Sequence, residues 1–203
     1  MEQALEYFGV ITGLIYLFLE IKQHRAMWIV GFITSLVYVF VFFDAKVYAD
    51  MALNSYYVAI SVYGFWKWSR EKLSVRKTVT KESSETESTA IIYRHSTPLL
   101  SVLIATSIAA LWLLIWWILA KFTDSPIPVG DAFTTAVGIV ATWMLAQRII
   151  EHWPLWVVTN LVSVYLYSLR GLYPTMFLYI CYAALAIAGW INWKKNGLDS
   201  KNI

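Results

Sequence analysis

The second half of this 203-residue sequence repeats the first. Trp28-Ile29-Val30-Gly31-Phe32-Ile33-Thr34-Ser35 reads against Trp156-Val157-Val158-Thr159-Asn160-Leu161-Val162-Ser163, which pairs Ser35 with Ser163. Tyr48-Ala49-Asp50-Met51 reads against Tyr173-Pro174-Thr175-Met176, Tyr57 against Tyr182, and Gly64-x-x-x-Trp68 against Gly189-x-x-x-Trp193. The offset is 128 in the first match (28 to 156) and 125 in the others (48 to 173), which places a three-residue deletion in one inter-helix turn. A long repeat in so apolar a chain points to a carrier built from two similar halves, with its site near the membrane midplane.

Seven apolar spans carry the repeat, at about 7–21, 27–43, 51–68, 98–120, 132–150, 153–169 and 173–193. Most are near the length that crosses a bilayer, and the short first span is padded by Glu20 and Lys22 snorkelling to the interface. The chain is 59% hydrophobic and only 14% charged, with 11 Trp and 13 Tyr, which suits an integral membrane protein with aromatic belts. The expected class is therefore all-α and membrane-embedded. Residues 7–68 form one three-helix repeat, 69–97 a polar aqueous loop, 98–120 a linker transmembrane helix, and 132–193 the second repeat. An odd number of linking spans brings both halves in from the same side, so the repeats are parallel in this three-plus-one-plus-three layout. With the N-terminus on one side, that side receives Lys46, Lys121 and Arg170, and the other receives thirteen of the sixteen basic residues. The positive-inside rule then sets the N-terminus outside and the C-terminus in the cytoplasm. The acidic start, Met1-Glu2-Gln3-Ala4-Leu5-Glu6, lacks the basic region of a signal peptide.

The sixth span concentrates the polar chemistry. Trp153, Trp156 and Asn160 fall at i, i+3 and i+7, with Ser163 and Tyr167 continuing the stripe. The opposite stripe holds Leu155, Val158, Leu161 and Leu166. Lipid does not reward a polar stripe, so this face looks at a cavity or a neighbouring helix. Trp153 and Trp156 read either as interfacial belt residues or as ring contacts for a ligand. Asn160, near mid-span, reads either as an interhelical hydrogen bond or as a ligand anchor. The second span repeats the pattern with Trp28, Gly31, Thr34, Ser35 and Tyr38, and the third adds Asn54, Tyr57 and Ser61. Stacked indoles favour a flat cationic ring, and amides and hydroxyls suit sugar or carboxamide groups.

Several classes are disfavoured. Cys181 has no intrachain partner, and His24, His95 and His152 lie far apart near polar turns, so neither a disulfide nor a metal site is expected. No catalytic Ser-His-Asp or Cys-His set assembles, no phosphate loop is present, and neither an enzyme nor a cofactor is implied. The net charge of +3 reflects loop anchors and gives no nucleic-acid signal. No Asp or Glu lies in mid-span, which favours a facilitator without ion coupling. A structural membrane subunit and a half-sized sugar porter remain competing classes; the doubled repeat argues against the second.

Trp153-x-x-Trp156-x-x-x-Asn160, Tyr48-Ala49-Asp50-Met51 and Tyr63-Gly64-Phe65-Trp66-Lys67-Trp68 together resemble the signature of the PnuC family of bacterial vitamin transporters, over nearly the whole chain. The resemblance implies a full-length fold like that of the SWEET sugar transporters, a place in the bacterial inner membrane and, in many members, a trimer. It implies facilitated uptake of nicotinamide riboside, made one-way by a cytoplasmic kinase that phosphorylates the vitamin. Trp153 and Trp156 become ring contacts and Asn160 a polar anchor. Two positions depart from the pattern: Asn54 stands where riboside carriers tend to have Gln, and Thr34 where some have Asn. A thiamine-carrying branch exists, and thiamine is also a cationic heteroaromatic, so both substrates remain open.

Overall fold

A computed structural model describes residues 2–44, 48–79, 91–123 and 127–199. The described residues form seven helices: α1 (Glu2–Ile21), α2 (Ala26–Asp44), α3 (Tyr48–Val79), α4 (Pro98–Phe122), α5 (Pro128–Ala146), α6 (His152–Leu169) and α7 (Tyr173–Asn196). Two short strands, β1 (Ile91–Tyr93) and β2 (Gly197–Asp199), pair with each other. By length and composition α2, α4, α5 and α7 are long and apolar enough to cross a membrane, and α1 holds a shorter apolar run, Tyr7–Ile21. Helices suit this setting because each closes its own backbone hydrogen bonds where no water is available. The described chain forms two compact units, residues up to 91 and from 92 onward.

In the first unit α2 packs on both α1 and α3. In the second, α5 packs on α4 and α6, and α6 on α7. The core of the second unit joins Ile104, Val140, Met144 and Ile149 to Leu100, Ile108, Leu111 and Leu155. Leu155 and Leu166 therefore leave the outward aliphatic stripe in which the sequence places them. Leu155 meets this core, and Leu166 is buried where a side chain on Gly130 would stand. Val158 and Leu161 do stay exposed. An ion pair in which Arg170 Nη2 donates to both carboxylate oxygens of Asp131, at 2.8 and 3.0 Å, ties the end of α6 to the start of α5.

The polar segment 69–97 is not one loop. Nothing between Gly64 and Pro98 breaks a helix, and α3 runs on to Val79. Residues 80–90 of the expected loop lie outside the described residues, as do Lys46, Lys81 and Lys201 of the charge count. The last part is an ordered clip. The Arg94 amide donates to the Arg148 carbonyl at 3.0 Å, and the Ile150 amide donates to the Arg94 carbonyl at 3.1 Å. Arg94 Nη2 donates to Gln147 Oε1 at 2.8 Å, and Glu151 meets His95 Nδ1 at 2.8 Å and the Ser96 amide at 3.1 Å. The α5–α6 turn has free backbone groups to satisfy, and this strand-like segment supplies the partners.

The two units share their local geometry at a constant offset of 125. Gln23 has φ +50° and Arg148 φ +57°. Each is the left-handed residue of a helix-ending Schellman turn. His24 N donates to Leu19 O at 2.8 Å, and Ile149 N to Met144 O at 2.9 Å. Gln23 N donates to Glu20 O, and Arg148 N to Leu145 O, both at 2.8 Å. Beyond the turn, Trp28 meets Trp68 edge-on at 5.5 Å and 88°, and Trp153 meets Trp193 at 5.6 Å and 86°. A side chain on Gly64 would overlap the Trp28 ring, and one on Gly189 the Trp153 ring.

This recurrence corrects the sequence register. Trp28 matches Trp153 rather than Trp156, and there is no three-residue deletion between the first and last matches. Ser35 then corresponds to Asn160, Tyr38 to Ser163, Thr34 to Thr159, and Gly31 to Trp156. The physical reason is that the repeated element is an indole seated on the glycine of the next helix. The run of aliphatic residues that suggested an offset of 128 has no such seat.

Two outcomes test this description. Gly189→Ala should lower the thermal midpoint in detergent, by the equivalent of about 1–3 kcal/mol for overpacking, while Ala188→Leu on the exposed side should not. Hydrogen exchange should show slow amides at Arg94 and Ile150; exchange at the free-peptide rate would mean the clip does not form.

Candidate functional site

The chemistry expected of the sixth span comes to rest on α6 in graded burial. Trp153 is 0% exposed and sits on Gly189 with its edge to Trp193. Its indole N–H is buried and has no hydrogen-bond partner. Trp156, one turn on, is only half-buried, while Asn160 is 7% exposed. Ser163 is also buried on this side. The Thr159 hydroxyl donates to its own helix at the Leu155 carbonyl, 2.9 Å away, so it is spent on the backbone. The two residues on α6 best placed to offer a ring and an amide are therefore Trp156 and Asn160. Trp153 is neither a belt residue nor open to solvent; it is packed between helices.

The first unit holds the remaining expected residues. Thr34 and Ser35 lie on α2; Ser35 is buried, and the Thr34 hydroxyl is buried without a hydrogen-bond partner. Tyr38 stacks on Phe42 at 5.7 Å, and its hydroxyl lies against Gly9 of α1. On α3, the Asn54 amide donates to the Asp50 carbonyl at 2.9 Å, and Tyr57 meets Tyr56 at 5.5 Å. Asn54 thus uses one donor on its own helix and keeps its amide oxygen.

Three residues stand out that the sequence did not flag as site neighbours. Tyr16 of α1 reaches over Gly31 of α2, where an added Cβ would lie 3.0 Å from its ring and 3.2 Å from the Ser61 hydroxyl. Glu20, expected to snorkel, is instead 3% exposed, within charge reach of Tyr16 one turn away. A polar neighbour makes such burial tolerable in apolar surroundings. His152 does open α6 beside the polar α5–α6 turn, but it is buried, with Nδ1 at 2.7 Å from the Ile149 carbonyl and its ring against Trp153 and Trp193. The signal that would have found Tyr16 and His152 is the constant offset of 125, which pairs them with Ala141 and with the equally buried Met27.

Against known proteins, the family model described as Nicotinamide mononucleotide transporter matches residues 3–195. The nicotinamide riboside transporter PnuC of Escherichia coli (strain K12) is 24% identical, over 93% of this chain and 85% of its own length. The PnuC of Neisseria mucosa is 27% identical, over 92% and 70%. The riboflavin/roseoflavin transporter RibM of Streptomyces davaonensis is 28% identical, over 91% and 82%. A crystal structure of the vitamin B3 transporter PnuC superposes with a TM-score of 0.66 at 24% identity, covering 94% of this chain and 80% of that one, which establishes the fold. The half-buried indole and buried amide of α6 thus sit in an all-helical membrane transporter, and the protein belongs to the nicotinamide mononucleotide transporter family.

Proposed function

We propose that the protein takes up nicotinamide riboside, with Trp156 stacking on the pyridinium ring and Asn160 hydrogen-bonding a polar group of the same ligand. The observation that carries this reading is the pairing of a half-buried indole with a buried amide one turn apart on α6. An indole face attracts a flat cation, and a desolvated amide discriminates among carboxamide and hydroxyl patterns. Trp153, locked on Gly189, braces α6 against α7 instead of meeting the ring. On the same helix Ser163 supplies a further hydroxyl, and within the first unit Thr34, Ser35, Tyr38, Asn54 and Tyr57 are the positions offering hydroxyl and amide groups.

The mechanism in this proposal is facilitated diffusion by alternating access, with the vitamin trapped by a cytoplasmic kinase. The chain works in the bacterial inner membrane, N-terminus outside, as part of the trimer that the resemblance implies. Basic residues lie over aromatic rings at both ends of the spans, Lys22 over Phe18 at 4.4 Å, Arg70 over Trp66 at 4.3 Å and Lys194 over Trp190 at 5.7 Å on the side assigned to the cytoplasm and Lys121 over Trp117 at 5.3 Å and Arg170 over Tyr167 at 5.8 Å on the other, so the orientation rests on the uneven count of basic residues alone.

Calorimetry on the detergent-purified protein with nicotinamide riboside, thiamine and riboflavin tests the substrate. Riboside alone should bind. Thiamine alone would make Asn54 and Thr34 the first specificity positions to examine, and riboflavin alone would align the chain with the Streptomyces davaonensis relative. Trp156→Ala should weaken riboside binding by about 1–3 kcal/mol. Asn160→Leu should keep the thermal midpoint and lose uptake; uptake that persists in both variants would put the site elsewhere.

A further inference from the structure

We infer that Ala141 and Ala186 are positioning residues: they form the seat that fixes the indole of Trp156, and so they tune ligand affinity without touching ligand. The inference deepens the proposed role of Trp156 and rests on it. Its basis is the constant offset of 125 between the units. In the first unit, positions 16, 31 and 61 meet: Tyr16 and the Ser61 hydroxyl close over Gly31, leaving no room for a Cβ without a shift. The counterparts in the second unit are Ala141, Trp156 and Ala186. Bulk is exchanged across the trio. Tyr, Gly and Ser in one unit become Ala, Trp and Ala in the other, as a close-packed interior demands when one member grows.

The register of the helices leads to the same place. Trp153 of α6 sits on Gly189 of α7. The two helices follow one another through a short turn and run antiparallel, so one turn forward on α6 faces one turn back on α7, which sets position 156 against 186. Likewise the α5–α6 turn, closed by the Ile149 to Met144 hydrogen bond, sets 156 against 141. Ala141 is 0% exposed and Ala186 is 1% exposed, so neither has space of its own for a larger side chain. A Trp has two side-chain torsions, and two flanking methyl groups leave few rotamers open. The same closeness makes the orientation of the indole sensitive to any growth at either position.

The test uses the full chain in detergent and in vesicles. Ala141→Tyr should lower the thermal midpoint, and adding Trp156→Gly, which recreates two of the three residues of the first unit's trio, should restore it. Ala186→Val should raise the KM for nicotinamide riboside about tenfold with little change in maximal rate. Rescue by the double variant supports the seat. Failure of rescue, or a midpoint unmoved by Ala141→Tyr, overturns it. An unmoved KM in Ala186→Val overturns the positioning role when Trp156→Ala does weaken binding. If Trp156→Ala also binds normally, it is the ligand contact at Trp156 that falls, and the rescue still decides the seat.

Discussion

An indole lying on a glycine is the interaction from which the rest of this fold takes its register. Trp153 on Gly189 and Trp28 on Gly64 each remove a bulky ring from the chain's surface and bring two helix backbones close at one level. Apolar surroundings give helices little reason to associate through hydrophobicity alone, so close packing on small residues decides which turns face each other. Once that level is set, the polar positions of α6 fall into place one and two turns further along, and the short turns at either end have only to close the path.

Much of the architecture was written in the spacing of apolar runs. The seven spans correspond to the seven helices because runs of that length, punctuated by Pro98, Pro128 and Pro174 and by charged turns, have few other solutions. The register of the repeat differs by three residues between the sequence pattern and the packing. Trp153 and Trp156 are equivalent letters in a sequence, and only the glycine thirty-six residues beyond Trp153 and beyond Trp28 distinguishes them (153 to 189, 28 to 64). Residues 91–97 carried no periodicity, since their order comes from backbone groups offered by a turn over fifty residues away. Glu20 and His152 looked like end-of-helix polar residues, and their burial depends on neighbours that no local pattern reveals.

The two units are alike in backbone and unlike in chemistry. The last turn of α1 carries Glu20 where the last turn of α5 carries Leu145, and the clip from Arg94 to Ser96 attaches to the segment that follows α5. One half-buried indole appears on α6, where α2 has glycine. Each unit keeps the packing of the repeat and changes the side chains it carries.

The clip also says something about how the chain is divided. Although it follows the long polar linker, its hydrogen bonds run to the α5–α6 turn and its strand pairs with residues 197–199. The boundary between the units lies just before it, between residues 91 and 92. Each side of that boundary owns a complete Schellman turn and a complete indole-on-glycine seat. A gene split there would yield two polypeptides, each already encoding its own internal order.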